Sequence, residues 1–221
     1  MCPFCYLGKR KFENALAQFA NKEHIEVEWK SFQLNPDLVT NPGKSVQQYL
    51  MEHKSMSMEN AIQAGNYITQ AGKSVGLDYH YDKVILANTF RAQQMIKFAH
   101  TQGKQNEMEE KLFEAYFTKG ENVDDLTTLL KLAFEAGLDT AELQEGLENN
   151  QFAAQVLSDI DEANRLRIHS VPYFFFNRKY IVNGAQESTV FLETLRKAFT
   201  DWAKDQPEIK TGPVKYSFNP N

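Results

Sequence analysis

The sequence predicts an α/β fold interrupted by a large all-helical insertion domain. Three observations predict it. The start of the chain reads as a helix followed by an alternating run. Residues 45–166 then carry helical periodicity with few breaks. After Ile168 come two short β-rich runs and one amphipathic helix. The order is helix, strand, a block of helices, strand, strand, helix, so the block splits an α/β unit. This gives an α/β domain from residues 1–36 and 167–205, a helical insertion over residues 37–166 and an extended tail over residues 206–221. A chain of 221 residues, 42% of them hydrophobic, is long enough to bury the core that such an arrangement needs.

Each element has a local reason. In "CPFCYLGKRKFENALAQFANK", Leu7, Phe12, Ala15, Leu16 and Phe19 recur at helical spacing among charged residues. Pro3 suits a first turn, where its missing N–H would have no partner. "HIEVEWKSFQL" alternates, with Ile25, Val27 and Trp29 on one side and Glu26, Glu28 and Lys30 on the other. That is the pattern of a strand with one buried face. "NPDLVTNPGKS" is a loop punctuated by Pro36, Pro42 and Gly43. In the helical block, Ser57 reads as an N-cap and Gly76 as a C-terminal stop. Ile85, Phe90, Met95, Ile96 and Ala99 fall near one face of a central segment, and no fixed repeat period appears. "YFFF" and "YIV", separated by "NRK", signal a hairpin. The following helix turns Phe191, Leu195, Phe199 and Trp202 inward.

Composition excludes several functions. The net charge is −5 with both signs dispersed, unlike the basic footprint of a nucleic-acid binder. No apolar stretch approaches the roughly 20 residues of a membrane span. The cysteines are too few for a disulfide-stapled secreted scaffold, and no signal peptide is visible, so a cytoplasmic location is expected.

Both cysteines of the chain stand at its start, in "MCPFCYLGKRKF". On a helix, Cys2 and Cys5 share a face and can approach within disulfide reach. Cys2 also lies near a helix N-terminus, where unpaired N–H groups and the helix dipole favour a thiolate. The thiolate is the species that attacks a disulfide, and a second cysteine resolves the mixed intermediate. Other readings fit less well. A structural staple over so short a loop gains the least entropy. Half of a zinc site needs two more ligands, and no second cysteine pair or close histidine pair follows, so no metal is expected. Two ordinary buried cysteines leave the proline between them without a role.

A second signal is "HSVPYFFF". A proline just before a β-rich run cannot donate to a ladder. Together with the CxxC and the α/β order, this favours a cis Val171–Pro172 peptide. The backbone of Val171 would then face outward beside the cysteines and pair with an extended substrate.

"CPFCYLGKRKFE", "EVEWKSFQLNPD", "LANTFRAQQMIKFA", "LFEAYFTKGENV" and "SVPYFFFNRKYIVNGAQ" occur in that order. The chain so resembles the DsbA-family thioredoxin-fold oxidoreductases of the FrnE type, the polyketide-biosynthesis dithiol–disulfide isomerases, over nearly its whole length up to the tail. The resemblance implies a thioredoxin-like domain split by the helical insertion. It implies Cys2 as nucleophile, Cys5 as resolving thiol and Pro172 as the cis proline, with Pro3, Phe4 and Val171 lining the substrate site. Asn88 and Thr89 match a pair near the pocket in this family, although Asn88 equally suits a helix cap. The partners implied are protein or small-molecule disulfides and dithiols, with no bound cofactor, glutathione as a conceivable co-substrate and a homodimer as a conceivable assembly.

Two departures stand out. A thioredoxin-like sheet has a central strand leading into the CxxC helix, whereas only Met1 precedes Cys2. A missing first strand, within an N-terminal segment of about ten residues, is therefore expected. His169 and Ser170 also replace the small residues expected ahead of the cis proline. His169 could lower the thiolate pKa, although such a residue is more often solvated. The competing function is a glutathione-dependent isomerase or transferase of the 2-hydroxychromene-2-carboxylate isomerase or kappa-class type. In those relatives a serine typically takes the place of the first cysteine, so the pair here argues for redox chemistry. A third reading is a peptide-holding module that uses Phe4, Tyr6, Tyr173 and Phe174. Phe4 adds no hydrogen-bond donor between the cysteines, so a thiolate less extreme than that of strong oxidants is expected.

Overall fold

The computed structural model describes residues 1–206, and the expected tail lies outside them except for Gln206. The elements run α1 (Pro3–Gln18), α2 (Val46–Lys54), α3 (Met58–Lys73), α4 (Phe90–Thr101), α5 (Gln105–Glu114), α6 (Leu126–Glu135), α7 (Thr140–Glu148), α8 (Ala153–Arg165), β1 (Tyr173–Phe176), β2 (Tyr180–Asn183) and α9 (Ser188–Ala203). They divide into two compact units. One joins Cys2–Glu26 to the chain from Ser170, and the other is Val27–His169.

The first unit is built on aromatic packing. Phe12, Ala15 and Phe19 of α1 meet Val182 of β2 and Phe191 and Leu195 of α9, with Phe174 and Phe176 of β1 against them. Ring centroids lie 4.6 Å apart for Phe174–Phe191 and 5.9 Å for Phe12–Phe191, both edge-to-face. β1 and β2 pair antiparallel, with Phe174 opposite Val182 and Phe175 opposite Ile181. Period 2 therefore sends Phe174 and Val182 inward while Phe175 and Ile181 stay exposed. Asn177 and Arg178 are both left-handed, and the Lys179 N–H closes onto the Phe176 carbonyl at 3.0 Å. That is the primed turn whose twist matches a hairpin. α1 stops at Gln18, short of the expected Lys22, because Phe19 turns extended and its ring packs against Phe199.

The strand expected over residues 25–30 does not form. A strand needs a ladder partner, and among the described residues the sheet holds β1 and β2 alone. The backbone of this run bonds to side chains instead. The Trp29 N–H donates to Gln105 Oε1 at 2.9 Å, and the Trp29 carbonyl accepts from Gln105 Nε2 at 3.0 Å. The Ser31 N–H donates to Asp159 Oδ2 at 2.7 Å. An amide and a carboxylate thus serve donors that a ladder would have used. These bonds tie the run to the helical unit, so the boundary falls after Glu26 rather than after Pro36.

In the helical unit, α4 packs against α5, α7 and α8. The single apolar face expected for it is too narrow. Ala92 and every residue from Gln94 to Ala99 are buried. Lys97 is buried because it pairs with the equally buried Asp159. Ile85 lies before the helix, which starts only after Thr89. Ser57 caps α3 by accepting from the Asn60 N–H at 3.2 Å. Gly76 (φ +79) stands in the left-handed turn that closes α3, as its position suggested. Among the described residues no helix is long and apolar enough to cross a membrane.

Candidate active site

The site begins with the N-terminus of α1. Cys2 is the N-cap, extended at φ −108 and ψ 119, and Pro3 opens the helix. The Cys5 N–H closes back onto the Cys2 carbonyl at 3.1 Å. Both cysteines are half-buried thiols. The Cys2 thiol is lowered from 9.0 to about 7. The main cause is a hydrogen bond from the Cys5 thiol, opposed by burial and assisted by the backbone N–H groups of Cys5 and Phe4. Each of these groups stabilises the negative sulfur. About 7 is the upper end of the range for such pairs.

The second element is the loop before β1. The Val171–Pro172 peptide is cis. The Val171 carbonyl oxygen lies 3.6 Å from Cys2 Sγ, and the thiol donates to it. The Pro172 carbonyl accepts from the Gly184 N–H at 2.8 Å, which anchors the loop to the far end of the hairpin. Lys11 ties the same region to α1 through the Ala185 carbonyl at 3.4 Å and Glu187 at 2.5 Å. Cys2, Cys5, Pro3, Phe4, Val171 and Pro172 are thereby gathered in one unit.

Residues 1–196 match the DSBA-like thioredoxin domain. The chain belongs to that family. It is 28% identical to the uncharacterized protein YwbO of Bacillus subtilis (strain 168) over 212 residues, 92% of this chain and 94% of the relative. Its fold is similar to the crystal structure of a probable DsbA oxidoreductase, SCO1869 from Streptomyces coelicolor. The TM-score is 0.84 at 30% identity, covering 90% of this chain and 86% of the other. The fold is therefore the DsbA-like thioredoxin fold, carrying the helical block as an insertion. Family and neighbour together support a thiol–disulfide oxidoreductase in general terms.

Other predicted residues have different surroundings. Asn88 accepts from the Phe90 N–H at 2.9 Å, and its amide donates to the Leu38 and Pro36 carbonyls at 2.9 and 3.3 Å. It organises the start of α4 and the loop before α2. Thr89 is the N-cap residue, and its hydroxyl accepts from Gln93 Nε2 at 3.0 Å. His169 is exposed. Of the four aromatics that a peptide-holding surface would use, Tyr6 is buried and Phe174 belongs to the core cluster, whereas Phe4 is exposed. Three of the four therefore do not stand out as a surface: Tyr173 is only half-exposed, on the first residue of β1.

Sequence reasoning overlooked Gly8. A Cβ there would lie 3.0 Å from Pro172 Cγ and 3.3 Å from the Phe174 ring. Its signal was the spacing, since Cys2, Cys5 and Gly8 continue one i+3 row on α1.

Proposed function

We propose that this chain is a thiol–disulfide oxidoreductase of the FrnE type that works through Cys2 and Cys5. The observation that carries the reading is the position of Cys2 Sγ. It is a thiol lowered to about 7 and lies 3.6 Å from the Val171 carbonyl, so a polypeptide whose sulfur reaches Cys2 runs its backbone beside that of Val171. In the reducing direction the Cys2 thiolate attacks one sulfur of a disulfide, and the other sulfur leaves as a thiolate. Cys5 then attacks Cys2, forms the Cys2–Cys5 bond and releases the second substrate thiolate. The substrate gains two electrons and the pair loses two. The reverse sequence oxidises a dithiol, and attack followed by release at a different sulfur isomerises. The two sulfurs carry both electrons, so the exchange needs no bound cofactor.

The substrates are protein or small-molecule disulfides and dithiols; glutathione, a monothiol, enters this reading only as a candidate co-substrate. The family resemblance assigns Asn88 and Thr89 to substrate binding. The order of the five motifs quoted above supports the FrnE type. An insulin-reduction assay tests the reading. Cys2→Ser is expected to reduce the rate to the uncatalysed background, while Cys5→Ser accumulates a mixed disulfide visible by mass spectrometry. Full activity in Cys2→Ser overturns the mechanism. Micromolar binding of glutathione together with full activity in Cys5→Ser favours the glutathione-dependent isomerase or transferase.

A further inference from the structure

The sulfur and the loop beside it are held by different parts of the same unit. The groups that lower Cys2 most belong to the first turn of α1: the Cys5 thiol and the N–H groups of Cys5 and Phe4. The Val171–Pro172 loop is held elsewhere. Gly184 grips the Pro172 carbonyl, Lys11 grips Ala185 and Glu187, and the Pro172 ring sits directly on Gly8. Of these three supports, Gly8 alone is a steric seat on the helix that bears the cysteines.

We propose that Gly8 is a positioning residue that sets how closely the Val171–Pro172 loop lies against Cys2, and thereby sets reactivity toward extended disulfides separately from the reactivity of the sulfur itself. This rests on the redox reading above. A methyl group at Gly8 would meet Pro172 Cγ at 3.0 Å and two atoms of the Phe174 ring at 3.3 Å. The ring has little room to retreat, because Phe191 backs it at 4.6 Å and Phe12 at 5.8 Å. Interiors are close-packed, so the strain moves into the loop. Pro172 shifts by a few tenths of an ångström, and Val171 moves with it. An extended substrate that pairs with the Val171 backbone then presents its sulfur off line. A small disulfide makes no backbone pairing and is indifferent to the shift.

The test compares three reactions in Gly8→Ala and wild type. These are insulin reduction, reduction of a small aromatic disulfide, and alkylation of reduced Cys2 by iodoacetamide across pH. The insulin rate is expected to fall about fivefold, since an ångström of misplacement costs on the order of a hundredfold. The small disulfide and the alkylation midpoint are expected to stay within about twofold and a few tenths of a pH unit of wild type, respectively. A merely structural role predicts something else, namely that all three readouts fall together with the melting temperature. That outcome, or an unchanged ratio of insulin to small-disulfide rates, overturns the proposal.

Should Gly8→Ala not fold, Phe174→Leu loosens the same seat while keeping the glycine. It is expected to lower the same ratio by about twofold, and an unchanged ratio there also overturns the proposal. Cys2→Ser separates the two ideas. If Cys2→Ser still reduces insulin, the redox reading and this inference fall together. If it is inactive while Gly8→Ala keeps the wild-type ratio, this inference alone falls.

Discussion

The two units of this chain bury different things. The unit bearing the cysteines is held by Phe12, Phe19, Phe174 and Phe191 packed ring against ring; its buried Lys9 reaches the part-exposed Glu13 one turn along the same helix, and Lys179–Asp201 lies at the surface. The helical unit buries charge and amide groups among its helices. Lys97 and Asp159 are each less than a tenth exposed and pair with one another, and Gln94 and Gln105 are buried as well. The difference shows what each unit has to hold. An aromatic core needs only shape. An irregular segment needs partners for its N–H and C=O groups, and Gln105 and Asp159 supply them to residues 29 and 31.

The comparison breaks most sharply at the two centres. Phe191→Ala removes a fully buried ring from the aromatic cluster and is expected to cost about 3–5 kcal/mol in urea unfolding. Asp159→Ala is expected to cost about as much, roughly 3–5 kcal/mol, by a different route. It leaves the buried Lys97 ammonium without its carboxylate and the Ser31 N–H without its acceptor. A paired replacement, Lys97→Met with Asp159→Leu, separates the two routes. It removes both charges at similar volume, so the ion pair itself is nearly neutral, and the remaining loss is about 1–3 kcal/mol for the orphaned Ser31 donor. If the paired variant is as unstable as Asp159→Ala, the charges matter less than the packing, and the two units are alike after all.

The same difference explains what could be read in advance. Apolar periodicity located α1, the hairpin and α9, because the aromatic unit expresses its structure in side-chain hydrophobicity. The alternation in "HIEVEWK" was read as a strand because alternation reports that alternate residues face opposite ways. It does not report whether a neighbouring strand exists to receive the hydrogen bonds. α4 was read as one-sided because Gln94 and Lys97 count as polar, and nothing in the chain order announces that Asp159 waits for Lys97 some sixty residues on. At the site, the CxxC and the proline of "SVPYF" were legible as residue types. Gly8 was not, because a glycine's role there is the absence of an atom that only the packed Pro172 ring reveals.

The smallest effect is the one closest to the chemistry. Cys2 titrates near 7 in the folded chain against an ordinary 9.0, so the folded state carries the thiolate more readily than the unfolded one. The sign follows from linkage. Between about pH 7 and 9 the unfolded chain binds more protons, so stability rises with pH across that window, by at most about 1.4 kcal/mol per pH unit. Below pH 7 both states are protonated and the contribution is gone. The largest cause of the lowering is the Cys5 thiol, and Cys5→Ala removes it while leaving the backbone N–H groups of residues 4 and 5 in place. Burial then acts with less opposition, and the Cys2 midpoint rises from about 7 toward 9.0. Iodoacetamide alkylation against pH reads the midpoint directly, and the stability slope between pH 7 and 9 flattens in the same variant. A midpoint that stays near 7 in Cys5→Ala would assign the lowering to the helix terminus alone. Thiolate activation would then be a property of backbone N–H groups, as the hold on residues 29 and 31 is a property of side chains.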